Sequence, residues 1–167
     1  AKFFWENDLR KIKSDGFASF AQKLKKVTFH NKLGSEWDRR GRIVHIAERI
    51  ATIIDADIEL VKTAASLSKL DLVSEMVYEF PELQGLIGSR YAEHTGYQKE
   101  IIEACKEHYW PRGQSDEVPR NLVSIAVALA DKIDMICSFW SINLRPTGSK
   151  DPFALRRAAI GIIRILL

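Results

Sequence analysis

Arg42-Ile43-Val44-His45-Ile46-Ala47-Glu48-Arg49-Ile50-Ala51-Thr52-Ile53-Ile54 decides the fold class. Ile43, Ile46, Ala47, Ile50, Ala51 and Ile54 recur at three- and four-residue spacing, the repeat of one face of an α-helix. Arg42, Glu48 and Arg49 fall on the opposite, polar face, and Asp55 and Asp57 punctuate the end. Outward from this stretch the same period continues. Phe17 to Leu24 is a short apolar helix, and a helix is predicted from about Ile58 to Phe80, where Pro81 ends it. Leu83 to Tyr91, Tyr97 to Tyr109, Leu122 to about Trp140 and Pro152 to Leu167 complete the set. Asn121 is placed to cap the helix at Leu122, and Asp151 followed by Pro152 reads as a cap with proline at the first helical position. Leu122 to Val127 resembles a strand, but its alanine-rich continuation favours helix. No segment alternates with strand period. The sequence predicts an all-α bundle of about seven or eight helices.

With 167 residues, 46% hydrophobic and 28% charged, the chain fits one helical domain spanning 1–167 with a single core. No apolar run reaches the roughly 20 residues that cross a bilayer. The opening Ala1-Lys2-Phe3-Phe4-Trp5-Glu6 lacks the pattern of a secretory signal. An aromatic start without Met and an apolar finish at Ile165-Leu166-Leu167 read as the cut ends of an internal piece of a longer protein. Cys105 and Cys137 lie in apolar helical patterns outside any CxxC pair, so both are expected as buried free thiols in a reducing cytoplasm.

The net charge of +3 is too small to define a partner, but its distribution is uneven. Residues 1–50 hold twelve Lys/Arg against six Asp/Glu, and residues 145–167 hold five against one. Two basic ends around an acidic centre make a phosphate-facing surface if they meet in the fold, and solvated faces if they do not.

Four segments carry candidate chemistry. Asp71, Glu75, Glu79 and Glu82 recur at helical spacing and are expected on one face, as a metal or acid–base set or as simple charge pairs. Glu107-His108-Tyr109-Trp110-Pro111-Arg112 crowds a helix end with an imidazole, aromatics and a cation, suited to base stacking or to a packed anchor. Asp131 and Asp134 interrupt the apolar run Ala128-Leu129-Ala130-Asp131-Lys132-Ile133-Asp134, and buried carboxylates must be paired or ligate something, with His45 a possible partner. In Pro146-Thr147-Gly148-Ser149-Lys150-Asp151-Pro152-Phe153-Ala154-Leu155-Arg156-Arg157 the order of Ser and Lys and the lack of a preceding strand exclude a nucleotide-triphosphate loop. What remains is a capped helix start with Arg156 and Arg157 in its first turns, suited to phosphate or carboxylate.

These segments carry a resemblance. Phe3-Phe4-Trp5-Glu6-Asn7-Asp8-Leu9, Phe29-His30-Asn31-Lys32-Leu33-Gly34, Leu67-Ser68-Lys69-Leu70-Asp71-Leu72-Val73-Ser74-Glu75-Met76-Val77, Glu79-Phe80-Pro81-Glu82-Leu83-Gln84-Gly85 and the whole Pro146–Arg157 segment resemble, in order, motifs of the β subunit of bacterial two-subunit glycyl-tRNA synthetase. Glu107-His108-Tyr109 and Ala130-Asp131-Lys132 match as well. The resemblance implies an internal, tRNA-handling or structural stretch of that ligase subunit. No catalytic residue and no cofactor belong to this stretch. ATP and Mg are expected on the α subunit, with the α subunit and tRNA(Gly) as partners, a hetero-oligomer of α and β chains, no membrane, and a cytoplasmic location. The same stretch resembles the HD phosphohydrolase fold, whose His-Asp pair would fall near Leu67-Ser68-Lys69. No His-Asp dipeptide occurs here, so the metal centre reads as degenerate, with Asp131 and His45 as its remnants and Lys69 where a cation would sit. The expected phosphate contacts are Lys150, Arg156, Arg157, Arg112, Arg39, Arg40 and Arg42, with Lys25 and Lys26 beside them. The alternatives are a metal-dependent phosphohydrolase and a pure assembly module.

Overall fold

A computed structural model describes residues 1–167. In chain order its elements are α1 (Lys2–Asp15), α2 (Ala18–Leu24), β1 (Thr28–His30), β2 (Gly34–Ser35), α3 (Glu36–Ile54), α4 (Ile58–Leu67), a 3₁₀ turn (Leu70–Val73), α5 (Glu75–Glu79), a second 3₁₀ turn (Pro81–Leu83), α6 (Leu86–His94), α7 (Lys99–Glu107), α8 (Leu122–Ser141) and α9 (Leu155–Leu166). The fold is all-α, as the periodicity requires.

The stripe that opened the reading lies on α3. A reciprocal capping box starts this helix: the Asp38 N–H donates to Ser35 Oγ at 3.1 Å, and the Ser35 N–H donates to the Asp38 carboxylate at 2.8 Å. Ile43, Ala47 and Ala51 then meet Val61, Ala64 and Ala65 of α4, Ile101 and Ala104 of α7, and Val123, Ala126, Val127 and Ala130 of α8. The many alanines let these four helices approach closely. A second apolar cluster joins Ile12 of α1, Phe20 and Leu24 of α2, Leu70 of the 3₁₀ turn, Met76 and Val77 of α5, and Ile87 and Tyr91 of α6.

The structure departs from the sequence reading in several places. There are nine α-helices, because Lys2–Asp15 is helical and the single helix expected over 58–80 is broken. Two buried carboxylates explain the break. Asp71 accepts the N–H groups of Gly85 (2.7 Å) and Gly88 (2.9 Å), which draws its segment out of helical register. Asp8 accepts the N–H groups of Glu75 (3.0 Å) and Met76 (3.1 Å) and so fixes a new helix start at α5. The expected carboxylate face therefore does not exist: Asp71 is buried, Glu79 and Glu82 are exposed, and Glu75 pairs with Lys11 at 3.6 Å. A small antiparallel hairpin, β1–β2, was not expected and is too short to show alternation. The last helix begins at Leu155, not Pro152, since Ala154 adopts φ 54°. Asp151 still caps it, accepting from the N–H groups of Leu155 and Arg156, both at 2.9 Å. Cys105 is buried as expected, whereas Cys137 is exposed on the outer face of α8.

Asp71 permits a first prediction. Burial pushes its carboxyl up to about 6, against the opposing pull of the Gly85 and Gly88 N–H groups, and one of its oxygens is unpartnered. A raised acid disfavours the charged folded form. Its contribution is present below the ordinary value of 3.8 and declines as pH rises through about 6. Asp71→Asn keeps an acceptor for both glycines and is expected to change stability by less than about 1 kcal/mol at pH 7, whereas Asp71→Ala costs about 2–3 kcal/mol by leaving two N–H groups unmet. Urea titrations of both variants at pH 5 and pH 7 check this.

Candidate functional site

At one end of the four-helix core the apolar contacts give way to charge. α3 supplies Arg39 and Arg42, the end of α4 leads to Lys69, α7 ends on His108, and α8 supplies Asp131, Lys132 and Asp134. Arg39 lies one turn before Ile43 on the buried face of α3, and Asp131 follows Ala130 of the core on α8, so the pattern that builds the core also carries these side chains inward.

Asp131 is the centre. Its Oδ1 receives Arg39 at 2.8 Å and Lys69 Nζ at 2.9 Å. Lys69, only 3% exposed, also donates to His108 Nε2 at 3.2 Å and lies 4.1 Å from the centroid of the Tyr109 ring. The His108 Nδ1–H in turn donates to the Cys105 carbonyl at 2.7 Å. Asp134 holds the second half of the cluster: Arg42 meets it with two nitrogens, at 2.7 and 3.3 Å, and Arg39 Nε stands 3.5 Å away. Lys132 donates to the carbonyls of His108 (3.3 Å) and Trp110 (2.8 Å), closing the end of α7. Its stem runs along Gly161 of α9, where an added Cβ would lie 2.8 Å from Lys132 Cε.

The electrostatics follow from burial and crowding. Burial alone would raise the Asp131 carboxyl, but Lys69 and then Arg39 outweigh it and hold it well below the usual carboxylate range. Burial, and then the Lys69 ammonium, push His108 well below its ordinary value, so the imidazole is neutral and its Nε2 lone pair accepts from Lys69. Burial brings the Lys132 amine down to about 8 against the pull of Asp131.

The resemblance to a phosphohydrolase fold raises the question of a metal. Lys69 Nζ already sits between His108 Nε2 and Asp131, and the Arg39 guanidinium bonds the same carboxylate oxygen. No group of three or more His, Cys, Asp or Glu side chains converges to hold an ion. The residues present do not fit a divalent cation, since an ammonium fills the position its ligands would face.

Above the cluster opens a cleft of about 510 Å³. Arg39, Asp131 and Lys132 lie at its base. Phe29, Tyr109, Met135 and Phe153 give it an apolar side, and Arg112 and Arg157 stand where it adjoins a second, more polar cleft of about 430 Å³ beside Arg164.

The basic residues chosen from the sequence thus divide. Arg39 is a core residue spent on Asp131 and Asp134, and Arg42 is spent on Asp134 and the Leu33 carbonyl. Arg40 donates to the Ser66 carbonyl at 2.8 Å and covers the Trp37 ring. Placing these three on a phosphate-facing surface needs correction, because the acidic residues of α8 and the carbonyls of Leu33 and of Ser66 in α4 hold them in the fold. Lys150, Arg156, Arg157 and Arg112 are exposed, and Arg112 and Arg157 are brought together by the clefts. Arg156 donates to the Gly148 carbonyl, while Lys25 and Lys26 are exposed near α2. His45 also needs correction. It is exposed in a shallow groove beside Asp134, a turn and a half beyond Arg39 on α3, and the imidazole next to Asp131 is His108. The signal for His108 was present: Ile101, Ala104, Cys105 and His108 share one helical face, and the first three are apolar.

Fold and site together define an all-helical domain whose polar centre is filled by its own cations and whose open cleft presents arginine at the mouth. The glycyl-tRNA synthetase beta subunit family model matches residues 1–167. The chain is 57% identical to the glycine–tRNA ligase beta subunit of Cereibacter sphaeroides, 54% to that of Paracoccus denitrificans and 47% to that of Neisseria meningitidis. In each case all of this chain and 24% of the relative are covered, so the chain spans about a quarter of the length of these relatives. The chain belongs to the glycyl-tRNA synthetase beta subunit family.

Proposed function

We propose that this chain is a tRNA-contacting domain of a glycine–tRNA ligase, engaging the phosphate backbone through Arg112, Lys150, Arg156 and Arg157. The observation that carries the reading is the division of the basic residues. Arg39 and Arg42 are tied to carboxylates, whereas Arg112, Lys150, Arg156 and Arg157 are exposed and stand outside every ion pair of the fold. Exposed cations without internal carboxylates suit phosphates, which position a nucleic acid without reading its sequence. In this reading the aminoacylation chemistry, with ATP and Mg, lies on an α subunit, and this stretch holds no cofactor of its own. The partners are the α subunit and tRNA(Gly) in a hetero-oligomer of the cytoplasm. No helix of the chain is long and apolar enough to cross a membrane.

The test uses the assembled ligase carrying Lys150→Glu and Arg157→Glu together. Both side chains project from the surface and neither donates a hydrogen bond that organises the fold, so the thermal midpoint is expected to stay within a few degrees. Affinity for tRNA(Gly) is expected to fall about tenfold or more at low salt, and the dependence of log K on log salt to shallow by roughly 1.5. Unchanged affinity with an unchanged salt slope would refute the reading.

A further inference from the structure

The clefts hold one feature that the backbone-contact reading leaves unused: an apolar, aromatic lobe beside the arginine pair at the mouth. We infer that the cleft between the end of α7 and α9 binds a nucleotide, its ring in the Phe153–Met135–Tyr109 lobe and its phosphate on Arg112 and Arg157. This rests on the tRNA-contacting reading only in taking the mouth as phosphate-facing.

The lobe is built for a planar ring. Phe153 stacks on the buried Phe139 with centroids 3.9 Å apart and planes 12° from parallel. Phe139 is closed off in the core, whereas Phe153 is half-buried and lines the cleft, so the stack can extend by one more ring on that side. Stacking on an aromatic tolerates any base, because every base has a π-face. The volume of about 510 Å³ lies within the range of small-ligand sites and has room for one nucleotide.

The charge selects an anion. Arg39, Lys132, Arg112 and Arg157 line this cleft against Glu36 and Asp131. Asp131 is consumed by Arg39 and Lys69, leaving the lining positive. Arg39 is itself buried and lines the cleft, with its Nε turned to Asp134 at 3.5 Å, so it adds positive field at the base rather than a free donor. Arg157 has no carboxylate partner, and Arg112 gives only one nitrogen to the Gln84 carbonyl, at 3.2 Å. Both retain guanidinium edges that match a phosphate fork to fork. Glu36, partly buried on the same lining, is the remaining free acceptor and fits the amino edge of a base.

The same chemistry is offered by a free nucleotide and by an unpaired residue of RNA. Equilibrium binding to the complete ligase, with the ATP site assigned above to the α subunit saturated by a glycyl-adenylate analogue, is measured with AMP, adenosine, inorganic phosphate, a 5′-phosphorylated single-stranded RNA tetranucleotide and a blunt RNA duplex. The expected result is that AMP or the tetranucleotide binds at least about tenfold more tightly than adenosine or phosphate alone. A tighter tetranucleotide identifies an unpaired RNA residue as the occupant, and a tighter AMP identifies a free nucleotide. Ala158→Phe, which fills the lobe from α9 while removing nothing from the surface, is expected to abolish this binding. Phe153→Leu, which keeps the apolar volume but not the aromatic face, is expected to weaken it several-fold, and the thermal midpoint of each variant reports that it folds. Phosphate binding as well as AMP, the duplex binding as well as the tetranucleotide, or indifference to Ala158→Phe would overturn the inference. If tRNA affinity falls with Lys150→Glu and Arg156→Glu, which spare the Arg157 shared by both readings, while Ala158→Phe is silent, the backbone-contact reading stands and this one fails. The reverse pattern keeps the nucleotide site and removes the backbone reading.

Discussion

Asp131→Ala is expected to destabilise the chain by about 3–5 kcal/mol, because it strands two buried cations rather than one. Arg39 and Lys69 both end on Asp131 Oδ1, and both are buried, at 4% and 3% exposed. Lys69 would keep only the neutral His108 and the Tyr109 ring, and Arg39 the main-chain carbonyl of residue 131 at 3.4 Å and its longer approach to Asp134. The sign with pH follows from the depressed carboxyl. A group held below its unfolded value contributes stability that is fully present above that value, 3.8, and is lost as pH falls below it toward the folded value. Denaturant midpoints of the parent should therefore fall steeply below about pH 4, while those of Asp131→Ala should be low and flatter in that range. A loss under 1 kcal/mol would show that the cluster gives little to stability. Replacing Asp131, Arg39 and Lys69 together by apolar residues of similar volume should recover much of the loss, since no charge then remains to be desolvated.

The second large effect is expected at Asp8. This residue is 0% exposed and accepts three donors: the N–H groups of Glu75 and Met76 at the head of α5, and the Tyr91 hydroxyl. Asp8→Ala leaves all three unmet in a dry environment and removes the only long-range tie between α1 and α5 made of hydrogen bonds, at a cost of about 3–4 kcal/mol. Asp8→Asn retains an acceptor and is expected to lose about half as much. Hydrogen exchange distinguishes this from a diffuse effect: amides of α1 and α5 should lose protection well before those of α3 and α8, which belong to the other apolar cluster. Uniform loss across both clusters would contradict the assignment.

Those two carboxylates also show where sequence reading stops. The stripe on α3 and the alanine-rich α8 were legible because burial on one face repeats at a fixed interval, and Asn121 sits where a cap must sit. The break after Leu67 was not legible, because its causes are pairings of Glu75 with Asp8, 67 residues away, and of Asp71 with Gly85, 14 away. Spacing along a chain carries no trace of a partner supplied by another element. The same limit governed the site. Asp131 and Asp134 stood out as charges in apolar surroundings, yet the sequence assigned His45 rather than His108 as the imidazole and left Arg39 among the surface cations. An arginine spent on a buried carboxylate and one left for phosphate look alike until both ends of the pair are located.

Gly161 gives the arrangement its mechanical character. With no methyl there, α9 settles directly onto the stem of Lys132, and Lys132 grips the carbonyls that end α7. Arg157 rides on α9, one turn before that point, and Arg112 follows the end of α7. The gap between the two guanidinium groups is therefore gauged by a lysine that touches neither, and a single carbon atom at position 161 would act as a shim, spreading the jaws from behind.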